Sequence, residues 1–176
     1  RRQRQMCIRD RYRAHALNKT EMVARILQAK GRGKTMIFTR TKRTAQKLAE
    51  ELAERGFHVA TVHGDLGQIA REKALDAFRD GTVDVLVATD VAARGIDVDD
   101  VTHVINYQCP EDDKTYVHRI GRTGRAGHSG VAVTLVDWDD IPRWMLIDKA
   151  LDLGKGEPAE TYHTSAHPVS YTHLTL

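Results

Sequence analysis

The stretch KTMIFTRTKRTAQKLAEELAERGFHVATVHGD, residues 34–65, decides the fold class. It begins with the apolar run 36–38 and ends with the apolar run 59–62, each short enough for a buried strand. Between them lies an amphipathic helical pattern, with Thr41 placed as its N-cap and Gly56 placed to close it. A strand, a helix and a strand in this order form the unit from which parallel sheets are built.

Further apolar runs along the chain predict the remaining strands. They lie at residues 83–88, 101–107 and 131–136. Helical patterns separate most of the runs, so helices are expected to cover both faces of the sheet. The predicted fold class is therefore α/β, a single doubly wound domain whose parallel sheet is flanked by helices on both faces.

Several helix ends are marked in the sequence. Asn18 with Glu21, and Asp65 with Gln68, have the spacing of capping boxes at the starts of two helices. A closing helix is expected over residues 138–151. Its inward-facing side chains are expected to be Ile141, Trp144 and Met145.

The pentapeptide GRGKT, residues 31–35, imitates the end of a phosphate-binding Walker A loop. The first glycine of that pattern would fall at position 28, which is Gln28. A Walker A loop also follows a strand and opens a helix, whereas here a predicted helix comes first and a predicted strand follows. We interpret the segment as a turn from a helix to a strand.

The net charge of +3 does not describe the predicted domain. Residues 1–13 hold six arginines and one aspartate, a net charge of +5, which leaves −2 for residues 14–176. A case for nucleic-acid binding must therefore rest on local sites. Cys7 and Cys109 lie far apart without metal-ligand spacing, so no disulfide framework or metal site is predicted, and a cytoplasmic setting is expected. No apolar run approaches the roughly 18 residues of a membrane span, so no membrane association is expected.

Both ends of the chain break from the pattern of the sequence beside them. We interpret residues 1–13 and 168–176 as sequence that is not native to the protein, which would be excluded from fold reasoning. A natural arginine-rich arm that binds RNA is the alternative for the first of these. The predicted organisation is a non-native or disordered tail at 1–13, one domain at 14–153, and a linker with a tail at 154–176.

The segment HRIGRTGRAG, residues 118–127, concentrates positive charge. Arg119, Arg122 and Arg125 lie among glycines, and no carboxylate occurs from residue 114 through residue 128. The planar guanidinium fork suits phosphate oxygens, and glycine lets the backbone approach a ligand closely. A solvated basic loop is the alternative for an isolated run of charge.

Four further polar segments follow predicted strands. Because the carboxyl ends of parallel strands meet at one edge, all the candidate chemistry is expected at that edge of the sheet. The segments are FTRTK (38–42), HGD (63–65), ATDVAARGID (88–97) and INYQCP (105–110).

With these five segments in this order, residues 18–152 resemble the second, RecA-like domain of the DEAD-box RNA helicases of superfamily 2. The resemblance implies a RecA-like fold and the C-terminal half of an ATP hydrolase that unwinds or remodels RNA. It also implies a preceding N-terminal RecA-like domain as partner, which would hold most of the ATP and its Mg²⁺. The chain itself contains neither a GxxxxGK[ST] loop nor a DEAD tetrapeptide, so alone it is expected to turn over no ATP.

The resemblance implies roles for residues at the ATP. Arg122 and Arg125 would act on the γ-phosphate as arginine fingers, which stabilise the charge that develops in phosphoryl transfer. Gly95, which has no side chain, would leave room for the nucleotide beside the protein backbone. Asp97 would accept hydrogen bonds from the ribose hydroxyls. A loop-capping aspartate is the alternative for Asp97.

Further residues are implied in coupling between domains and in RNA binding. His118, Arg119 and Arg94 would couple ATP occupancy to the other domain. The alternatives are a buried core histidine for His118 and an RNA contact for Arg94. Contacts to RNA phosphates do not read sequence. The implied RNA-binding residues are Thr41, Gly64, Gln68, Arg71 and Thr89, with a capping role as the alternative for Gln68.

Two other functions stay open on the sequence. The first is the second lobe of a superfamily 2 DNA helicase or translocase. The second is an α/β binding module without motor activity, which would tolerate the loss of Arg122 and Arg125 because fold alone does not determine function.

Overall fold

The computed structural model describes residues 7–13, 18–124, 129–154, 156 and 158–160. The strands are β1 (Cys7–Arg13), β2 (Lys34–Thr39), β3 (Val59–Val62), β4 (Val85–Thr89), β5 (Val101–Asn106), β6 (Gly130–Val136) and β7 (Ala159–Glu160). The helices are α1 (Lys19–Leu27), α2 (Lys42–Glu54), α3 (Gln68–Asp80), α4 (Asp113–Ile120) and α5 (Ile141–Ala150). The strands form one sheet in the order β3-β4-β2-β5-β6-β1-β7, and all of its pairings are parallel.

Helices cover both faces of the sheet because successive strand residues point to opposite sides. On one face, Ile37 packs in the core formed with α1 and α2. On the other face, its neighbours Met36 and Phe38 pack with α3 and with the segment 90–98. Helices α4 and α5 pack beside them over β6. The predicted α/β class and its two covered faces are confirmed. No helix among the described residues is long and apolar enough to cross a membrane.

The connection from β4 to β5 takes an unusual form that matters for the site. Residues 90–100 form turns and extended backbone in place of a crossover helix. Ala92, Ala93 and Ile96 are buried against the sheet, so they supply the apolar contacts that a helix would otherwise make. The carbonyl of Ala93 accepts from the amide of Ile96 at 3.3 Å, but the segment has no regular helical ladder, so its carbonyl groups can also accept from side chains.

The predicted turn at GRGKT is confirmed, since α1 ends at Leu27 and β2 begins at Lys34. Arg32 closes the turn by donating to the carbonyl of Leu27 at 2.5 Å and to Asp84 at 3.1 Å. Thr41 caps α2 as predicted, because its hydroxyl accepts from the amide of Thr44 at 3.2 Å.

The predicted capping box at the start of α1 is wrong. Asn18 occupies the N-cap position, but its side chain accepts no cap hydrogen bond from the described helix. Glu21 instead forms an ion pair with Arg55 at the end of α2. A carboxylate gains more from a nearby guanidinium than from a neutral amide, so the tertiary contact prevails over the local one.

The second predicted capping box is also wrong, because Asp65 does not occupy the N-cap position of α3. Helix α3 starts at Gln68, and its N-cap is Gly67. Asp65 lies outside the helix and pairs with Lys42 at 2.6 Å, while the side-chain amide Nε2 of Gln68 donates to Oε1 of Glu72 at 2.9 Å.

The closing helix is shorter than predicted, because a 3₁₀ turn at Trp138–Asp140 precedes α5. Trp144 is buried as predicted, and its ring meets the edge of Tyr116 at 5.7 Å. Met145 is 39% exposed, so its predicted inward position is wrong. Ile147 takes the next inward position because it lies three residues after Trp144 on the same helix face.

Residues 7–13 form β1, which pairs with β6 on one side and with β7 on the other. Residues 7–13 are therefore part of the sheet, whereas the tail 1–13 was expected to be non-native or disordered. Sheet pairing uses main-chain groups, so a strand can form without the alternating apolar pattern that sequence reasoning looks for. The non-native origin of residues 1–13 and the boundaries at 14 and 153 stay predictions.

His103 on β5 is a buried histidine with one orphaned nitrogen. Its side chain is 4% exposed, and Nδ1 lies 2.8 Å from the hydroxyl of Thr102. Nε2 is buried and has no hydrogen-bond partner within the described part of the chain. Burial, with a smaller contribution from the Arg32 cation, lowers the pKa of His103 from 6.5 to about 4.

We therefore expect acid to destabilise the fold through His103. Below pH 6.5 the unfolded chain binds a proton at this histidine and the folded chain does not, until the pH reaches about 4. Stability is fully present above this window and falls by about 3 kcal/mol across it, at about 1.4 kcal/mol per pKa unit. Urea unfolding at a series of pH values measures the loss. His103→Asn, which keeps a partner for Thr102 but does not titrate, should show a much shallower slope; equal slopes would contradict the prediction.

Candidate nucleotide and RNA sites

A cavity of about 420 Å³ lies beside α4 and the segment 90–97. It contains five of the residues predicted to contact ATP or to couple the domains. They are Arg94, Gly95, His118, Arg119 and Arg122. The remaining lining residues are Phe38, Asp90, Ala93 and Thr115.

Arg119 is buried and ties α4 to the ends of two strands. Its guanidinium donates to both carboxylate oxygens of Asp90, at 2.6 and 2.7 Å, and to the carbonyl of Gln108 at 2.8 Å. It also lies over the ring of Phe38, 5.5 Å from the centroid. Because the side chain is 1% exposed, any coupling role must act through Asp90 and α4 rather than by direct contact with another domain. Sequence analysis missed Asp90, although it stands within the quoted segment 88–97.

Arg122 follows the end of α4 and contacts the segment 90–97. It donates to the carbonyl of Ile96 at 2.8 Å and to the carbonyl of Ala93 at 3.2 Å. From His118 to Gly124 the basic stretch is therefore not a solvated loop. Its first residues belong to α4, and Arg122 is held by hydrogen bonds to the segment 90–97. Arg125, the other predicted arginine finger, lies outside the described residues.

Sequence analysis missed α4 itself. Its start had a recognisable signal, since Asp112 is the N-cap and accepts from the amide of Thr115 at 2.7 Å. Helix α4 leads from the carboxyl end of β5 to the amino end of β6, and so runs antiparallel to both strands. The backbone at Arg122 therefore lies toward the amino ends of these strands, while its side chain lines the same cavity as Phe38 and Asp90, at the carboxyl ends of β2 and β4.

The cavity beside α4 carries net positive charge. Its charged lining residues, other than His118, are one carboxylate, Asp90, which is paired with Arg119, and three arginines, Arg94, Arg119 and Arg122. His118 is exposed, so the alternative of a buried core histidine is wrong. Such a cavity favours an anionic ligand.

The backbone at the mouth of this cavity is accessible. Gly95 has a φ of +73°, a conformation that favours glycine, and open space surrounds the position of its absent Cβ. The Asp97 side chain is exposed but does not line the cavity, and its carbonyl accepts from Arg79 at 3.4 Å.

Most of the predicted RNA-binding residues do lie at the carboxyl edge. Thr41 and Gln68 start α2 and α3, Gly64 follows β3, and Thr89 ends β4. Strands β3, β4 and β2 are neighbours in the sheet, so these positions share one side of the edge. Helix starts present unpaired amides, which suit the phosphates of a nucleic acid.

Arg71 connects this edge to the cavity beside α4. It donates to the carbonyl of Ala92 at 2.6 Å and to the carbonyl of Arg94 at 3.3 Å. Arg122 holds the carbonyls of Ala93 and Ile96 in the same segment. Arg71, which is predicted to bind RNA, and Arg122, which is predicted to bind ATP, therefore donate hydrogen bonds to the same loop. No pattern in the sequence indicates this arrangement.

A second cavity, of about 470 Å³, lies between α1 and α2 beside Tyr107. Its charges largely compensate one another, because Glu21 pairs with Arg55 and Glu51 with Lys47. It is therefore less suited to a phosphate group than the cavity beside α4.

Comparison with known proteins gives three kinds of match. The family model of the helicase conserved C-terminal domain matches residues 18–127. The ATP-dependent RNA helicase CshA of Limosilactobacillus reuteri is 48% identical over 142 residues, which cover 80% of this chain. The chain spans 29% of the length of that relative.

Two solved structures share the fold closely. E. coli DEAD-box protein SrmB, bound to regulator of ribonuclease activity A, matches with a TM-score of 0.81 and 32% identity, over 90% of this chain and 92% of that chain. S. cerevisiae Dbp5, bound to RNA and ADP BeF3, matches with a TM-score of 0.82 and 31% identity, over 97% of this chain and 44% of that chain.

Proposed function

Because this chain belongs to the helicase C-terminal domain family, and within it to the DEAD-box RNA helicases, we propose that it acts as the second lobe of an ATP-dependent RNA helicase. In the whole protein, an N-terminal RecA-like lobe would hold Mg²⁺ and most of the ATP. This lobe would supply arginine side chains to the ATP and main-chain and side-chain contacts to RNA. The setting proposed for this activity is the cytoplasm.

At the ATP, the described residue with the clearest role is Arg122. In this structure it holds two carbonyl groups, which are weaker acceptors than phosphate oxygens. A γ-phosphate presented by the other lobe would draw the guanidinium away from Ala93 and Ile96. Gly95 and Asp97 lie on the same segment and would meet the nucleotide from its other side, and Arg125 would act beside Arg122.

At the RNA, the carboxyl edge offers the exposed starts of α2 and α3. Thr41, Gly64 and Gln68 are exposed there and would contact the phosphates of one strand. Thr89 is 8% exposed, so its contact would be made mainly through its main chain. RNA bound to the related protein Dbp5 supports this proposal.

The single observation that carries the proposal is the shared grip on residues 92–96. Arg71 holds this segment from the RNA side and Arg122 holds it from the ATP side. A phosphate that displaces one of these arginines removes its hydrogen bonds to the segment, which is then held by the other arginine alone. Occupancy of the two ligands would thus be coupled through one loop, as a motor driven by ATP and RNA requires.

The proposal is tested on the full-length protein that carries this chain. Its ATP hydrolysis is expected to be stimulated by single-stranded RNA more than by DNA of the same sequence, and a short RNA duplex is expected to separate only with ATP present. This chain alone is expected to show no turnover. Equal or greater stimulation by DNA would favour a DNA motor, and turnover independent of any nucleic acid would contradict both.

A further inference from the structure

The turn that carries Arg122 is anchored in the domain interior by the next residue. Thr123 is 2% exposed, and its hydroxyl donates to the carbonyl of Val101, the first residue of β5, at 2.5 Å. Gly124 follows with a φ of +69°, a left-handed conformation that favours glycine. The path of the chain is therefore determined immediately after Arg122.

Gly130, the first residue of β6, lies directly against this turn. A Cβ at position 130 would stand 2.6 Å from the amide nitrogen of Gly124 and 2.9 Å from Cγ2 of Thr123. Real Cβ atoms essentially never approach other atoms so closely, and a main-chain nitrogen cannot rotate away as a side chain can. Strand β6 is held between β5 and β1, so the turn, rather than the strand, would have to move.

We propose that Thr123 and Gly130 are positioning residues for Arg122. The hydroxyl of Thr123 holds the turn down on β5, and the missing side chain of Gly130 lets the turn lie at that depth. Neither residue lines the cavity beside α4, so both act through the arginine rather than on the ligand. The inference rests on the proposed role of Arg122 at the γ-phosphate.

The expected effect falls on the chemical step. An arginine finger acts on charge that develops in the transition state, so its position matters more for kcat than for ground-state binding. A misplacement of about 1 Å can cost about 10²-fold in rate. RNA binding at the carboxyl edge does not involve this turn and should not change.

The test uses RNA-stimulated ATP hydrolysis by the full-length protein. Gly130→Ala is expected to lower kcat by about 10²-fold while RNA affinity without nucleotide stays unchanged. Thr123→Val, which keeps the shape but loses the hydroxyl, should lower kcat, and Thr123→Ser, which keeps the hydroxyl, should restore most of it. If Gly130→Ala does not fold, the Val and Ser variants decide alone, and equal turnover in both would overturn the inference.

Gly33→Ala is the matched control. Gly33 is also crowded, although by a side chain alone, since a Cβ there would stand 2.9 Å from Cγ2 of Thr102, and it immediately precedes β2, away from Arg122. It is expected to lower stability and leave kcat unchanged. A loss of kcat in Gly33→Ala as large as that in Gly130→Ala would mean that Gly130 has only a structural role, and would overturn the inference.

A double-mutant cycle separates this inference from the proposed function. In an Arg122→Ala background, Gly130→Ala should cost no further turnover, because its effect passes through that arginine. An additive loss would overturn the inference. Loss of turnover in Arg122→Ala with normal turnover in Gly130→Ala would overturn the inference alone, whereas normal turnover in Arg122→Ala would overturn the proposed function and the inference with it.

Discussion

Replacing Arg122 with alanine is expected to lower the RNA-stimulated ATP turnover of the full-length protein by about 10³-fold or more, the range known for arginine fingers. The guanidinium lies in a cavity with excess positive charge, and its present acceptors are carbonyl groups that a phosphate would outcompete. Steady-state ATP hydrolysis at saturating RNA measures the effect. Arg122→Lys should recover little, because lysine keeps the charge but loses the planar fork.

Arg43→Ala is the control for this prediction. Arg43 is exposed, whereas Arg122 is half-buried, and Arg43 lines the second cavity, between α1 and α2, rather than the cavity beside α4. Its variant should retain normal turnover. Turnover in Arg122→Ala close to that of Arg43→Ala would show that Arg122 is not an arginine finger, and the proposed role of this lobe would then be restricted to binding.

Replacing Asp90 with alanine is expected to destabilise the fold by about 3 kcal/mol or more, because it leaves a buried guanidinium without its counter-charge. Arg119 is 1% exposed and both of its shortest hydrogen bonds go to Asp90. The carboxylate itself is about one-third exposed, so removing Arg119 should cost less than removing Asp90. Urea unfolding of this chain measures the change in the free energy of unfolding.

Two further variants make this prediction specific. Asp100→Ala removes an exposed ion pair with Lys34, and should cost less than about 1 kcal/mol. The double variant Asp90→Ala with Arg119→Met removes both charges and should be more stable than Asp90→Ala alone, since no buried charge is left unpaired. A double variant less stable than Asp90→Ala would contradict the argument.

Much of the fold followed from local patterns. The five apolar runs became β2 to β6, because short buried strands carry enough apolar residues to be recognised without knowledge of their neighbours. Helix starts were less predictable. Thr41 caps α2 as expected, whereas Glu21 and Asp65 form ion pairs with Arg55 and Lys42 at the two ends of α2. A local rule fails where a charged partner from elsewhere offers a stronger interaction.

The candidate site was predictable by residue but not by arrangement. Gly95 and Arg122 were expected at the ATP, and Arg94, His118 and Arg119 were expected to couple the domains; all five line one cavity. The different contacts of Arg119 and Arg122 could not be predicted from the sequence, because the two stand three residues apart in the same motif. One is buried on Asp90 and the other holds the loop at the cavity.

The sequence by itself determined the α/β class, the succession of strands β2 to β6, and the family to which the chain belongs, because these depend on periodicity and on motifs of adjacent residues. Only the tertiary structure decided that Arg71 and Arg122 grip the same loop, that Asp90 balances Arg119, and that Gly130 limits the depth of the turn after Arg122. Each of these contacts joins residues from different elements, and their distances depend on how helices pack on the sheet rather than on any local pattern.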